Sequence, residues 1–206
     1  MRPLLNILST DAVDDDRQKQ KEIIGILDRS VNRLEAVSNR YLSGLESSES
    51  PERAVRLEVT DLWMILEETA QFHGESFRQY NQTLTLSSQV DDPVLVADPL
   101  AIEEIFSSLF SNCQKYAGTG ADVSVSLTER GKRSLEVTVS DNGAGINAPK
   151  LRKIRTSMRL LGESLDASEH LGLQICARLV ALHGGRISIS SHEGKGTTIG
   201  FTLPKG

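Results

Sequence analysis

Four short stretches hold residue types that could do chemistry. Asp141-Asn-Gly-Ala-Gly-Ile146 follows a strand-like run and sets a carboxylate beside Gly143 and Gly145, a spacing that lets the backbone approach a flat ligand. The same letters are excellent turn chemistry, so an ordinary turn competes with a binding loop at this point. Upstream, Asn112 offers an amide oxygen able to hold a hard cation, and Lys115 an ammonium able to meet phosphate, although each taken singly also reads as a solvated helix residue. His170-Leu-Gly-Leu173 opens a helix, where unpaired backbone amides and the helix dipole favour an anion. The last stretch, Gly194-Lys-Gly-Thr-Thr198, occupies a hairpin.

These stretches need elements to hold them. The pattern predicts a strand around Ala54 to Val59, then a helix capped by Thr60 or Asp61 that carries Leu62, Ile65, Leu66, Thr69 and Phe72. Strands are expected at Thr83 to Ser87 and Val94 to Val96, followed by a helix from Pro99 to Tyr116. The alternating runs Val123 to Leu127 and Leu135 to Val139 pair around a turn at Glu129 to Lys132. After a long irregular stretch, Leu171 to His183 reads as a helix ended by Gly184 and Gly185. Arg186 to Ser190 and Thr197 to Leu203 then form a hairpin about His192 to Gly196. This order predicts an α/β sandwich with a mixed sheet and helices on one face.

Ahead of it, Ile24, Leu27, Val31, Leu34, Ser38, Tyr41 and Leu45 step by three and four residues, the spacing of a heptad seam. Asp14 to Asp16 would cap that helix, and Leu4, Leu5, Ile7 and Leu8 give a shorter apolar stripe before it. The reading is a helical hairpin over residues 1–50, which either packs on the rest of the chain or joins a second copy in a four-helix bundle, the bundle being the expectation. The polar run Gly44 to Pro51 marks a hinge, and a second domain over residues 51–206 follows, so the fold class is α+β.

Of the 206 residues, 38% are hydrophobic and 25% charged, enough apolar material for a folded core, while the net charge of -5 argues against duplex nucleic acid as a partner. Cys113 and Cys176 stand apart without metal-ligand spacing, which fits a reducing cytoplasm. No apolar run approaches the roughly 20 residues of a membrane span, so this chain is expected to make no membrane contact; a membrane-anchored parent is compatible with that.

The order and spacing of the four stretches resemble the ATP-binding catalytic domain of sensor histidine kinases, within the superfamily that also holds gyrase, Hsp90 and MutL. Asn112-Cys-Gln-Lys-Tyr116 is similar to that family's N box, and Asp141 to Ile146 to its first glycine box. Leu171 to Gly185 is similar to the second glycine box and the helix after it, and Gly196-Thr197 through Leu203-Pro204 to the closing strand. The resemblance spans roughly residues 51 to 204. At the front, Pro3-Leu4-Leu-Asn-Ile7 is similar to the segment that follows the family's phosphoacceptor motif, and the heptad helix to its second dimerisation helix.

The resemblance implies roles. Asp141 would accept the adenine amino group, Gly143, Gly145 and Ile146 would shape the loop over the base, and Thr197 would help to bind adenine through a hydroxyl or a water. Asn112 would hold Mg²⁺, Lys115 and Tyr116 would stand near the phosphates, and the amides of Leu171, Gly172 and Leu173 would lie at the end of a lid running from Asn147 to Ser168. The activity implied is transfer of the γ-phosphoryl of ATP to a histidine and on to the receiver domain of a response regulator, in a cytoplasmic homodimer joined through the N-terminal helices. There are departures. The second glycine box reads Ser168-Glu-His-Leu-Gly-Leu173, the first N-box asparagine is Ser108, and none of the four histidines, His73, His170, His183 and His192, lies on the seam. No catalytic side chain is therefore assigned, and autophosphorylation of this chain alone is not expected. A degenerate kinase-like module that docks a kinase or response regulator, with weak nucleotide binding or none, is the alternative. The basic residues of the lid, Arg152, Lys153, Arg155 and Arg159, would either contact phosphates or form a solvated face, and the solvated face is the expectation.

Overall fold

In the computed structural model, residues 55–131, 133–159 and 171–206 are described. The helical hairpin, the hinge, Ser168, Glu169 and His170 lie outside them. Strand β1 (Glu58–Asp61) leads directly into helix α1 (Leu62–Gln79). The Asp61 carboxylate caps α1 by accepting from the amides of Trp63 and Met64. Strands β2 (Thr83–Ser88) and β3 (Val94–Ala97) follow, then α2 (Pro99–Tyr116), capped by Asp98 through the amides of Leu100 and Ala101 and started by a proline. Next come β4 (Asp122–Glu129), β5 (Ser134–Asp141), α3 (Ala148–Arg159), α4 (Leu171–Leu182), β6 (Arg186–His192) and β7 (Gly196–Pro204).

Two expectations are corrected. The first strand begins at Glu58, not Ala54, because its length is set by antiparallel pairing with β3 (Glu58↔Ala97 to Asp61↔Val94). The amide of Arg56 is used elsewhere, donating to Asp98 Oδ2 at 2.9 Å. The stretch expected to be irregular after β5 contains α3. Asn147 caps it through the amide of Lys150, and Leu151, Ile154 and Met158 form its buried stripe.

The main sheet has five strands in the order β2-β4-β5-β7-β6, with β2 parallel to β4 and every other pairing antiparallel. β1 and β3 form a separate two-stranded ribbon. Register places Val125, Val139 and Ile199 in one row and Leu127, Val137 and Phe201 in the next, all buried. The opposite face carries Ser124, Ser140 and Thr198, then Ser126, Thr138 and Gly200. One face of the sheet is thus apolar and takes the helices. Against it lies α2, buried along Ile102, Ile105, Phe106, Leu109, Phe110 and Cys113, with α1 and α4 both packed on it. Phe106 touches Phe201 of β7 and Phe110, and Phe110 touches Phe77 of α1, with ring centroids 5.8 to 6.3 Å apart.

The end of α4 is tied to the start of α2 by His183. Its Nδ1 lies 2.7 Å from the Leu179 carbonyl and its Nε2 accepts from the Asp98 amide at 3.0 Å, which fixes the neutral Nδ1–H tautomer. That role accounts for a histidine before the Gly184-Gly185 stop.

Candidate functional site

β5 ends at Asp141, and the β5–β7 register sets Asp141 opposite Thr197. The carboxylate is half-buried. Its Oδ1 accepts the amide of Gly143 at 2.9 Å and that of Thr197 at 3.3 Å, while Oδ2 has no bond among the described residues. Burial pushes this carboxyl above the ordinary aspartate value, and the two amides pull it part of the way back. The next residue, Asn142, locks the loop to β4: its Oδ1 accepts the Asp122 amide at 2.7 Å and its Nδ2 donates to the Asp122 carboxylate at 3.0 Å.

The loop from Gly143 to Ile146 is held from two sides. On one, the Ala144 amide donates to the Ala117 carbonyl at the end of α2, and a Cβ at Gly143 would fall onto that same carbonyl. On the other, the Gly194 amide donates to the Ala144 carbonyl at 2.7 Å. Gly145, at φ 67°, and Gly196, at φ 89°, each lack room for a side chain: a Cβ would meet the carbonyls of His192 and Asp141 respectively. Turn chemistry alone does not require such contacts. The glycines let three segments approach one another at the Asp141 end of the sheet.

Ser191, which the sequence analysis did not single out, joins them. Its buried hydroxyl donates to the Gly196 carbonyl at 2.8 Å, accepts the Ile146 amide at 2.8 Å, and lies 2.9 Å from the Thr197 hydroxyl. A serine in a strand reads as an outward polar residue, and only the pairing of β6 with β7 places it here.

α2 brings the remaining candidates. Asn112 lies on its penultimate turn with a buried Nδ2 that has no partner among the described residues. Lys115 is exposed and Tyr116 is 56% exposed. The ammonium of Lys150, from the first turn of α3, stands 6.0 Å from the centre of the Tyr116 ring, so α3 and the end of α2 face each other there. Gln82 ends α2 by donating to the carbonyls of Cys113 and Gly118. Cys113 itself is buried and its thiol is pushed up to about 12 by burial first and the Asp141 charge second, which makes it inert.

At the start of α4, Gly172 packs so closely on α2 that a Cβ would lie 2.7 Å from Ser108 Oγ. The Ser108 hydroxyl also bonds the buried thiol of Cys176. Ser108, in the place of an N-box asparagine, is therefore spent on seating α4. Leu173 buries its side chain in the core, leaving only its backbone for any ligand. Among the lid's basic residues, Arg152, Lys153 and Arg159 are exposed, as a solvated face requires. Arg155 is exposed too but is not merely solvated: Nε and Nη2 both donate to the Ile189 carbonyl on β6, at 3.1 and 2.8 Å.

The site suits a purine: a half-buried carboxylate with an oxygen to spare, a hydroxyl on the neighbouring strand, and loops closed to side chains. For a divalent cation the fit is narrower. No group of three acidic, histidine or cysteine side chains is present among the described residues, so these alone do not cage one. Asn112 offers one amide, whose oxygen would serve only alongside oxygens brought by a phosphate chain.

Comparison with known proteins gives the family and the fold. The family described as "Histidine kinase-, DNA gyrase B-, and HSP90-like ATPase" matches residues 97–206. The adaptive-response sensory kinase SasA of Synechococcus elongatus is 25% identical over 190 residues, covering 91% of this chain and 49% of SasA. The chain thus spans about half the length of that relative. Among solved structures, the catalytic domain of histidine kinase ThkA superposes with a TM-score of 0.63 at 22% identity, covering 73% of this chain and 97% of that domain. ThkA in complex with the response regulator TrrA superposes with a TM-score of 0.64 at 21% identity, covering 91% of this chain and 52% of that one. At these identities the structures establish the fold.

Proposed function

The chain belongs to the family of histidine kinase-, DNA gyrase B- and HSP90-like ATPases, and from that premise we propose that it is the ATP-binding core of a sensor histidine kinase whose adenine is read at Asp141. The observation that carries this reading is the carboxylate itself. Two backbone amides fix Oδ1, which leaves Oδ2 as a pre-oriented acceptor at the mouth of three converging loops. An exocyclic amine satisfies that oxygen, whereas a 6-oxo group repels it.

Asn112 would hold Mg²⁺ through its amide oxygen, supplying charge neutralisation to the phosphates, with Lys115 and the amides at Leu171, Gly172 and Leu173 along the same chain of oxygens. Phosphoryl transfer depends on placing and neutralising the γ-phosphoryl, so the absence of a nucleophile beside Asp141 is no obstacle. The acceptor would be a histidine on a helical hairpin, and the next acceptor a response regulator; the complex of ThkA with TrrA supports that class of partner. We also place the boundary between hairpin and ATP-binding domain near residue 51, the hairpin as a dimer interface, and the protein in the cytoplasm; no described helix is long and apolar enough to cross a membrane.

One observation favours the rival, a docking module of weak nucleotide affinity. Ser108 is turned to α4 and so cannot replace the missing amide beside Asn112. Titration with a fluorescent ATP analogue separates the two. Wild type should bind and Asp141→Asn should lose about 2 kcal/mol, roughly thirtyfold in affinity. Equal affinity in the two proteins would remove the adenine reading, and no binding by either would establish the docking module.

A further inference from the structure

The hydrogen-bond valence of Ser191 is closed. A hydroxyl has one proton to give and two lone pairs to fill. The proton goes to the Gly196 carbonyl, which can only accept. One lone pair takes the Ile146 amide, which can only donate. The contact with Thr197 at 2.9 Å must therefore be made by the Thr197 proton, since no other proton is left to lie between the two oxygens. Ser191 is buried, so water does not offer another arrangement. Thr197 is half-exposed and stands opposite Asp141 across the β5–β7 pair.

We infer that Ser191 is a positioning residue that fixes the polarity of Thr197, leaving the threonine hydroxyl only lone pairs to present, and so contributes to selecting 6-amino over 6-oxo purine nucleotides. The inference rests on the adenine reading of Asp141 given above and extends it to a residue that need not touch the ligand. A carboxylate and a hydroxyl that both only accept form a surface that any partner, base or bridging water, must meet as a donor. Without the Ser191 oxygen, the Thr197 proton is released and can turn toward a carbonyl. The discrimination then falls although Asp141 and Thr197 are both intact.

The test is the ratio of affinities for ATP and inosine triphosphate, measured by calorimetry on the full chain with folding checked by thermal unfolding without nucleotide. Ser191→Ala should lower the ATP-to-inosine-triphosphate preference about tenfold, the worth of one hydrogen bond. Ser191→Thr, which keeps a hydroxyl, should retain the preference. In a Thr197→Val background, Ser191→Ala should leave the ratio unchanged, because no proton remains to be released. A merely structural role would weaken both nucleotides by the same factor, and that result in a folded Ser191→Ala protein overturns the inference while sparing the adenine site. Absence of any preference in wild type overturns both. Should Ser191→Ala not fold, Thr197→Ser and Thr197→Val decide: the preference should survive in the first and fall in the second, and equal behaviour of the two rules the inference out.

Discussion

On the proposed adenine reading, Asp141 would serve two demands that oppose one another. To read an amine it must be ionised, yet half-burial disfavours the charge and holds its pKa above the ordinary value. The native state therefore binds this proton more readily than the unfolded chain does. That increment of stability is fully present below the unfolded pKa and is lost as pH rises through the raised folded value. Nucleotide affinity has the opposite sign, because protonation removes the acceptor. On acidification into this window, the difference between wild type and Asp141→Asn should show rising stability without nucleotide and falling ATP affinity. Thermal unfolding and titration across pH check the two slopes, and parallel slopes in wild type and variant would exclude Asp141 as the group responsible. At this scale the sequence was informative where function restricts residue type. The carboxylate at Asp141, Gly143 and Gly145 beside it, and Asn112 were readable as candidates. Ser191 and the Lys150 contact to Tyr116 were not, because what makes them matter is strand register and the approach of α3 to α2.

Helix caps explain why most elements were readable. Asp61 and Asp98 fix the starts of α1 and α2 through two amides each, and an acidic residue before an apolar period is a local signal. Helix α3 was missed for the complementary reason. Its apolar stripe is only Leu151, Ile154 and Met158 among many basic residues, so charge density concealed a regular i, i+3, i+7 spacing. The helix is secured from outside by Arg155, which grips the Ile189 carbonyl on β6, one of the two edge strands of the sheet. Replacing Arg155 by Met keeps much of the apolar stem and removes both donors, and should cost about 1 kcal/mol. Hydrogen exchange should show α3 amides opening faster while α2 amides stay protected. Unchanged protection of α3 would show that the stripe alone holds it.

At the level of the whole molecule, the seam from Ile24 to Leu45 predicts a homodimer, because an apolar stripe several turns long is costly to leave in water. Sedimentation should give a dimer that Leu34→Asp dissociates; a wild-type monomer at high micromolar concentration would dispose of the bundle. The seam carries no histidine, and of the three described ones His73 and His183 are buried and His192 ends β6. Incubated with γ-labelled ATP and Mg²⁺, this chain should therefore acquire no acid-labile phosphate, whereas a separately supplied hairpin bearing a seam histidine should be labelled in its presence. Label on the chain itself would mean an acceptor elsewhere. The sheet order adds a constraint of time. Of the five strands of this sheet β7 is synthesised last, yet it lies between β5 and β6 and supplies Gly196 and Thr197. A nascent chain that has released everything through β6 has a strand without its neighbour, an open edge on β5, and Asp141 without Thr197 opposite it. The β2-β4-β5 part of the sheet can pair as it emerges, as many domains do on the ribosome, but β6 cannot join it and the loops at Asp141 cannot close before β7 arrives. Completion of the sheet must wait for β7, and until then a nucleotide read at Asp141 would find only part of its site and could lend the emerging chain little stability.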